Sequence, residues 1–236
     1  MTDVLLPVAI AVPIVAATLP IALGLRYDDV GWPIAAVATT ALVGLTAAIA
    51  VEVARDGPLS HALGTYEPPI GIELVADELS VAVLVLVAVV SLATLAFARV
   101  AGPRGNPFYS GYLLLVGGLT GLVLTGDLFN MFVFLEIVGI STYALIAADR
   151  SGASAYASLK YLVVGTVGAS LYLLGVGYAY VATGTLSMTA LGAELPAASE
   201  PLTVAALGLM VAGLSVKIAL FPLHTWKPDA YEAAPA

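Results

Sequence analysis

The stretch GDLFNMFVFLEIVGISTYALIA, Gly126 to Ala147, decides the solvent in which this chain folds. It is a nearly unbroken apolar run of the roughly 20 residues that an α-helix needs to cross a bilayer. Near its middle stands Glu136. Asp127 follows Gly126 at a turn between two apolar runs and reads as the N-cap of the helix. Glu136 comes nine residues later, about 13–14 Å down the axis of a helix that rises about 1.5 Å per residue. Neither a cap nor a snorkelling side chain accounts for a carboxylate at that depth. Two readings remain: a structural ion pair, or a group that carries protons or ions, which intramembrane carboxylates usually mark.

Composition agrees with a chain built for lipid. Of 236 residues, 61% are hydrophobic and 10% charged, with a mean hydropathy of +1.03; a soluble domain carries about 25% charged residues. The formal charge of −8 argues against a basic patch for nucleic acid or anionic lipid. With no cysteine there is no disulfide framework, Fe–S cluster or thiolate metal site. No cofactor, metal or nucleophile motif marks a catalytic site of the chain's own. The N-terminal run Val4–Leu25 has no basic flank before it and is long enough to span, so it reads as a helix and not a leader.

Six runs are plainly long enough to cross: Val4–Leu25, Trp32–Ala54, Leu79–Ala98, Phe108–Thr125, Leu128–Ala148 and Ala157–Thr183. A seventh, Leu202–Phe221, is interrupted at its end by Pro222. The expected fold is an all-α integral membrane protein of about seven transmembrane helices, the seventh broken. Between the second and third spans, LGTYEPPIGIELVADELS (Leu63–Ser80) alternates apolar and polar residues around Pro68-Pro69 and reads as a short extramembrane β-hairpin. Leu186–Glu200 reads as a loop with one turn of interfacial helix. Numbering the loops after each span, the odd ones hold Arg26, Arg99, Arg104, Arg150 and Lys227, the even ones only Arg55. That asymmetry places the odd loops in the cytoplasm and the N-terminus outside.

Two lysines lie within apolar runs. Lys217, in GLSVKIALFPLHTW, has apolar neighbours on all sides, and Pro222 five residues later removes the hydrogen bond its nitrogen would make to the Ile218 carbonyl. Discontinuous helices of this kind sit at ion sites in transporters; the alternative is that Pro222 simply ends the helix. Lys160 stands four residues into the sixth run, where on the bare sequence it is an interfacial anchor within snorkelling reach of the cytoplasmic face. His224 reads either as an ordinary interfacial histidine or as a group able to pass protons both ways near neutral pH. Gly117, Gly121, Gly165 and Ala169 are the small residues that let helices pack closely.

Three motifs in order, GDLFNMFVFLEIVGISTYALIA, ASLKYLVVGTVGASLYLLGVGYAYVATGTL and KIALFPLHTWKPDAYEAAPA, resemble the antiporter-like membrane subunits. These are shared by respiratory complex I, membrane-bound hydrogenases and the Mrp-type multisubunit cation/proton antiporters. DLFNMFVFLE followed by YALIA looks most like the D-type branch of the antiporter subunits. The resemblance implies that Glu136 pairs with Lys217 of the broken seventh span, and that Lys160 of the LKY motif belongs to the same proton half-channel. It also implies that His224 of PLHTW relays protons beyond the break at Pro222, and that the hairpin contacts a neighbouring subunit. Drawing such an ammonium and carboxylate together or apart switches the proton affinity of the pair.

Two departures accompany the resemblance. The family usually reads HTWLPDAH, whereas here Lys227 stands for the leucine and Tyr231 for the second histidine, beside Asp229 at the cytoplasmic mouth. The family has about fourteen helices in two inverted repeats with flanking helices; the resemblance covers only the first half, ending where the eighth span should begin. The expected organisation is therefore 1–107, three helices with an external hairpin loop, and 108–236, the first antiporter-like repeat without its eighth helix. A split subunit completed by a second polypeptide, or a truncated chain, would explain this.

The function implied is proton and monovalent-cation translocation as a subunit of a Na+ (cation)/H+ antiporter, through a Glu136–Lys217 half-channel. The alternatives are a proton-pumping subunit of a complex I-like oxidoreductase or membrane-bound hydrogenase, and a non-transporting membrane scaffold. Expected partners are the lipid of the plasma membrane and the other membrane subunits of a hetero-oligomeric complex, including a chain that supplies the missing C-terminal helices; no nucleic acid and no cofactor are expected.

Overall fold

The structure, a computed structural model, describes residues 4–64, 66, 71–103 and 105–235. Among these, seven helical segments are long and apolar enough to cross a membrane, Leu5–Gly24, Gly31–Asp56, Glu78–Val100, Asn106–Leu124, Leu128–Asp149, Gly152–Thr183 and Glu200–Lys217, matching the seven runs read from the sequence. By its packing the chain divides into two units, one made chiefly of Met1–His61 and Leu74–Leu124, the other of Ala62–Glu73 and Thr125–Ala234.

In the first unit the opening span is two helices, α1 (Leu5–Ala16) and α2 (Leu19–Gly24), separated at Ala17–Thr18, where the Thr18 hydroxyl donates back to the Val15 carbonyl. α3 (Gly31–Asp56), α4 (Glu78–Val100) and α5 (Asn106–Leu124) complete it. The Asn106 side chain accepts from the Gly31 N–H at 2.9 Å, satisfying a donor at the start of α3. Trp32 ties α3 to α4 twice: its indole N–H donates to the Leu95 carbonyl, and the Arg99 guanidinium lies over its ring at 4.7 Å. Gly117 lets α5 lie against α1, since a Cβ there would stand 2.5 Å from Ile14 Cγ1. The fourth span thus packs with the first three.

The hairpin consists of β1 (Leu59–Ala62) and β2 (Glu73–Ala76). It begins four residues before the expected Leu63, because Gly57, at φ +85, stops α3 and turns the chain there. It ends before Ser80, because Asp77 caps α4, its carboxylate accepting from the Ser80 N–H at 2.7 Å. That bond holds the Asp77 carboxyl below the usual carboxylate range. The expected turn at Pro68-Pro69 lies outside the described residues.

The second unit holds α6 (Leu128–Ile146), α7 (Gly152–Thr183), α8 (Met188–Glu194), α9 (Glu200–Lys217) and α10 (Trp226–Glu232). Asp127 caps α6 as expected, accepting from the Asn130 N–H at 2.7 Å; burial nonetheless pushes its carboxyl above the usual range. The segment expected as a loop with one helical turn, Leu186–Glu200, forms the two turns of α8 and a further 3-10 turn. At 32 residues, α7 is about 48 Å long. That exceeds the roughly 30 Å hydrocarbon core, so this helix tilts or projects beyond it.

One face of α7 carries small residues at helical spacing, Ala157, Gly165, Gly168, Ala169, Gly175 and Ala179, all buried. At Gly168, Gly175 and Ala179 it receives α9. A Cβ at Gly213 would stand 2.5 Å from the Gly168 carbonyl oxygen, and one at Gly175 would stand 2.7 Å from that of Ala206. Backbones approach this closely only where side chains are absent, the usual device where helices associate without a hydrophobic drive.

The seventh span corrects one expectation. The helix ends at Lys217, four residues short of Phe221, so Pro222 is not what stops it. Ala219 adopts a left-handed φ of +57, with the Ala219 N–H donating to the Val216 carbonyl and the Leu220 N–H to that of Ser215. This is a Schellman turn with alanine where glycine is usual, and Pro222 lies in the irregular segment it opens.

Candidate functional site

The site is assembled within the second unit from α6, α7, α9 and the segment after the break. Glu136 and Lys217, 81 residues apart in sequence, meet with Lys217 Nζ 3.2 Å from Glu136 Oε1. The lysine side chain is 9% exposed and the glutamate 30%. Lys217 is the last residue of α9, where the negative end of the helix dipole favours an ammonium. The tight α7–α9 crossing brings that helix end toward α6, and the Tyr172 hydroxyl, on α7, donates to the Leu128 carbonyl at the start of α6.

Lys160 makes a different pair. Its Nζ lies 2.5 Å from Asp229 Oδ2 on α10 and donates to the Thr225 carbonyl at 3.2 Å. The structure therefore brings the expected site residues into two ion pairs: Glu136–Lys217 before the break and Lys160–Asp229 after it. His224 lies between them in sequence; its ring faces Phe221 at 5.5 Å, and its buried Nδ1 makes no hydrogen bond within the described structure. Lys227 and Tyr231, the two departures from the family motif, meet one turn apart on α10, the ammonium 5.3 Å from the ring centroid.

Sequence reasoning passes over three aromatic residues of this site. Tyr161 stacks on Trp226 at 4.0 Å between centroids and meets Tyr143 in a T-shaped contact at 4.7 Å. The three join α6, α7 and α10 in one buried cluster with Ile146, Ala157 and Ala230. Trp226 also ties the far side of the break to α9: its indole N–H donates a second hydrogen bond to the Val216 carbonyl, which already accepts from the Ala219 N–H. A signal for Tyr143 does exist in the sequence, since it follows Glu136 by seven residues and so shares its helix face two turns on.

Known proteins resemble this chain over most or nearly all of its length. Residues 125–236 match the family described as NADH:quinone oxidoreductase/Mrp antiporter, TM. The chain is 42% identical over 99% of its length to the N-type subunit of an NADH-quinone oxidoreductase from Desulforudis audaxviator, covering 46% of that protein. It is 36% identical over 74% of its length to the D-type subunit of the Na(+)/H(+) antiporter of Bacillus subtilis, covering 36% of that protein. Among solved structures, a chain of the membrane-bound sulfane sulfur reductase, an archaeal respiratory membrane complex, superposes with a TM-score of 0.91 at 36% identity over 97% of this chain and 48% of that one. A chain of the Mrp complex from Dietzia sp. gives 0.83 at 29% identity over 99% and 44%. The chain spans about half the length or less of the relatives it matches.

Proposed function

We propose that this chain, one of the antiporter-like membrane subunits by its likeness to them, moves protons through Glu136 and Lys217 as part of a multisubunit cation/proton antiporter. The observation that carries this reading is the 3.2 Å contact between the two charges. A lone charge at the bilayer centre costs about 2.5–3.5 kcal/mol on insertion scales. A desolvated ammonium holds its proton less tightly, and a neighbouring carboxylate restores the hold. Separating the two charges on one side of the cycle and rejoining them on the other would therefore release and reload a proton. Lys160 and His224 carry protons between this pair and the cytoplasmic side, and Lys227 and Asp229 form the mouth. In this reading the chain lies in the plasma membrane with its N-terminus outside.

The surface after the break supports a complex. Ile218, Leu220, Phe221 and Leu223 are exposed, Phe221 by 81%, on backbone that is not helical. Irregular backbone at membrane depth persists only where protein covers it or it lines a water-filled cavity. We propose that further helices of the complex cover it, whether from a partner subunit or from another part of a longer chain.

A second reading, a proton pump driven by redox chemistry in other subunits, uses the same residues. The 42% identity to an NADH-quinone oxidoreductase subunit favours it; the likeness to a D-type antiporter subunit favours exchange. Inverted membrane vesicles containing the assembled complex separate the two. Under the antiporter reading, adding Na+ or K+ to acidified vesicles raises their internal pH with no electron donor present. If the vesicles show no cation response and acidify only when an electron donor is supplied, the pump reading replaces it.

A further inference from the structure

The Tyr143 hydroxyl is buried, makes no hydrogen bond within the described structure, and lies beside the charge pair. The residue is 7% exposed, and its Oη is one of four buried side-chain polar atoms without a partner among the described residues. Buried hydroxyls are nearly always hydrogen-bonded, so such a group needs a reason. Glu136, Gly139 and Tyr143 fall at i, i+3 and i+7 on α6, one continuous face. A Cβ built on Gly139 would stand 3.1 Å from Tyr143 Oη and 3.4 Å from Lys217 Nζ. The two atoms are therefore no more than about 6.5 Å apart, the sum of those distances, with the glycine keeping the gap between them clear. On the other side, a Cβ at Gly165 of α7 would collide with the same Oη. The phenol thus occupies a slot between two glycines.

The phenol is held at its ring and its backbone, whereas the lysine reaches its partner on a long stem. The Tyr143 ring is held by the edge contact to Tyr161, and its carbonyl accepts from the Ser158 hydroxyl at 2.8 Å. The lysine ammonium rides on a flexible four-carbon stem. We propose that Tyr143 is a positioning residue of the charge-pair site: its hydroxyl oxygen accepts a hydrogen bond from Lys217 Nζ when the amine leaves Glu136, giving the lysine a second resting place. No covalent bond changes in this exchange; one hydrogen bond replaces another. The titratable groups that face the hydroxyl are Glu136 on its own helix, Lys217 from α9 and Tyr161 from α7. This inference rests on Glu136 and Lys217 being the switch.

Tyr143→Phe removes the oxygen and keeps the ring and its edge contact. Gly139→Ala places a methyl between the two atoms and leaves every polar group intact. Both are measured by cation/proton exchange, or by redox-driven pumping, in membrane vesicles across a range of pH, normalised to assembled complex, beside Glu136→Gln and Lys217→Ala. The expected result is normal assembly, exchange reduced about tenfold in each, and in Tyr143→Phe a pH profile displaced upward by about half a unit to one unit. The displacement follows because an ammonium with no second acceptor stays with its carboxylate and gives up its proton only at higher pH. The double variant should be no worse than either single one, since both close the same resting place. If Glu136→Gln and Lys217→Ala lose exchange while Tyr143→Phe keeps the wild-type rate and pH profile, this inference fails and the switch stands. If those two controls transport normally, both fail.

Discussion

Lys160 on α7 holds Asp229 on α10 across the break in the seventh span, Nζ to Oδ2 at 2.5 Å. With side chains 31% and 44% exposed, such a pair adds little to stability by itself. Its effect is positional: together with the bond from Lys160 to the Thr225 carbonyl, it fixes where the chain resumes as a helix after the irregular residues that follow α9.

Lys160→Ala and Asp229→Asn should each lower transport several-fold while leaving the amount of assembled complex near normal. The reversed pair, Lys160→Asp with Asp229→Lys, distinguishes a tie from a proton carrier. It should restore the docking of α10, seen as protease resistance recovered relative to the single variants, without restoring transport. Full recovery of transport by the reversed pair would make Lys160 a structural strut.

Trp226 bridges the break with one hydrogen bond and one ring stack, and the two can be separated. Trp226→Phe retains most of the stack on Tyr161 and loses the bond to the Val216 carbonyl, which should cost about 0.5–1.5 kcal/mol. Trp226→Ala also empties the buried site and should cost about 3–5 kcal/mol. Thermal melting of the complex in detergent checks the order; equal effects of the two would show that the ring contact contributes nothing.

The α7–α9 crossing makes Gly213 intolerant of any side chain. A methyl there meets the Gly168 carbonyl oxygen at 2.5 Å and the Tyr172 nitrogen at 2.6 Å, both backbone atoms that cannot yield without parting the helices. Gly213→Ala should therefore reduce both assembly and transport. Gly208→Ala, on the same helix but with nothing within 4 Å, should be neutral or stabilising by up to about 1 kcal/mol through helix propensity. Equal tolerance at the two positions would contradict the packing.

The basic residues of the odd-numbered loops predict a cytoplasmic placement for those loops, which labelling tests. A cysteine in the Arg99–Asn106 loop should react only with reagents that reach the cytoplasm, and one in the Gly57–Leu63 segment only with reagents outside. Reversed labelling would place the Lys160–Asp229 pair at the outer face.

Much of this was legible in the residues. The seven spans followed from apolar runs of sufficient length, and Glu136 and Lys217 stood out because a charge inside an apolar run needs an explanation. The stop at Lys217 was not legible. A proline is a visible breaker, whereas Ala219 in a left-handed turn carries no mark in the sequence, because alanine ordinarily favours the helix it ends here. Asp229 as the partner of Lys160 was hidden by a separation of 69 residues. Tyr143 was hidden by its type, since an aromatic residue in an apolar span is usually core, and its hydroxyl gains meaning only once Gly139 and Gly165 are seen to leave it a slot.

If the carboxylate of Glu136 governs the proton on Lys217, transport by the assembled complex carrying Glu136→Gln shows it most directly. The glutamine keeps size and shape and removes the charge. Cation/proton exchange, or pumping by the parent complex, should fall at least about tenfold at normal assembly, with Glu136→Asp retaining part of it because its charge survives on a shorter stem. A purely structural pair predicts otherwise: deleting one partner of a buried pair costs about 3–5 kcal/mol, so Glu136→Gln and Lys217→Ala would assemble poorly and the double variant would recover. Normal assembly with wild-type transport in Glu136→Gln would contradict control of the lysine by the carboxylate outright.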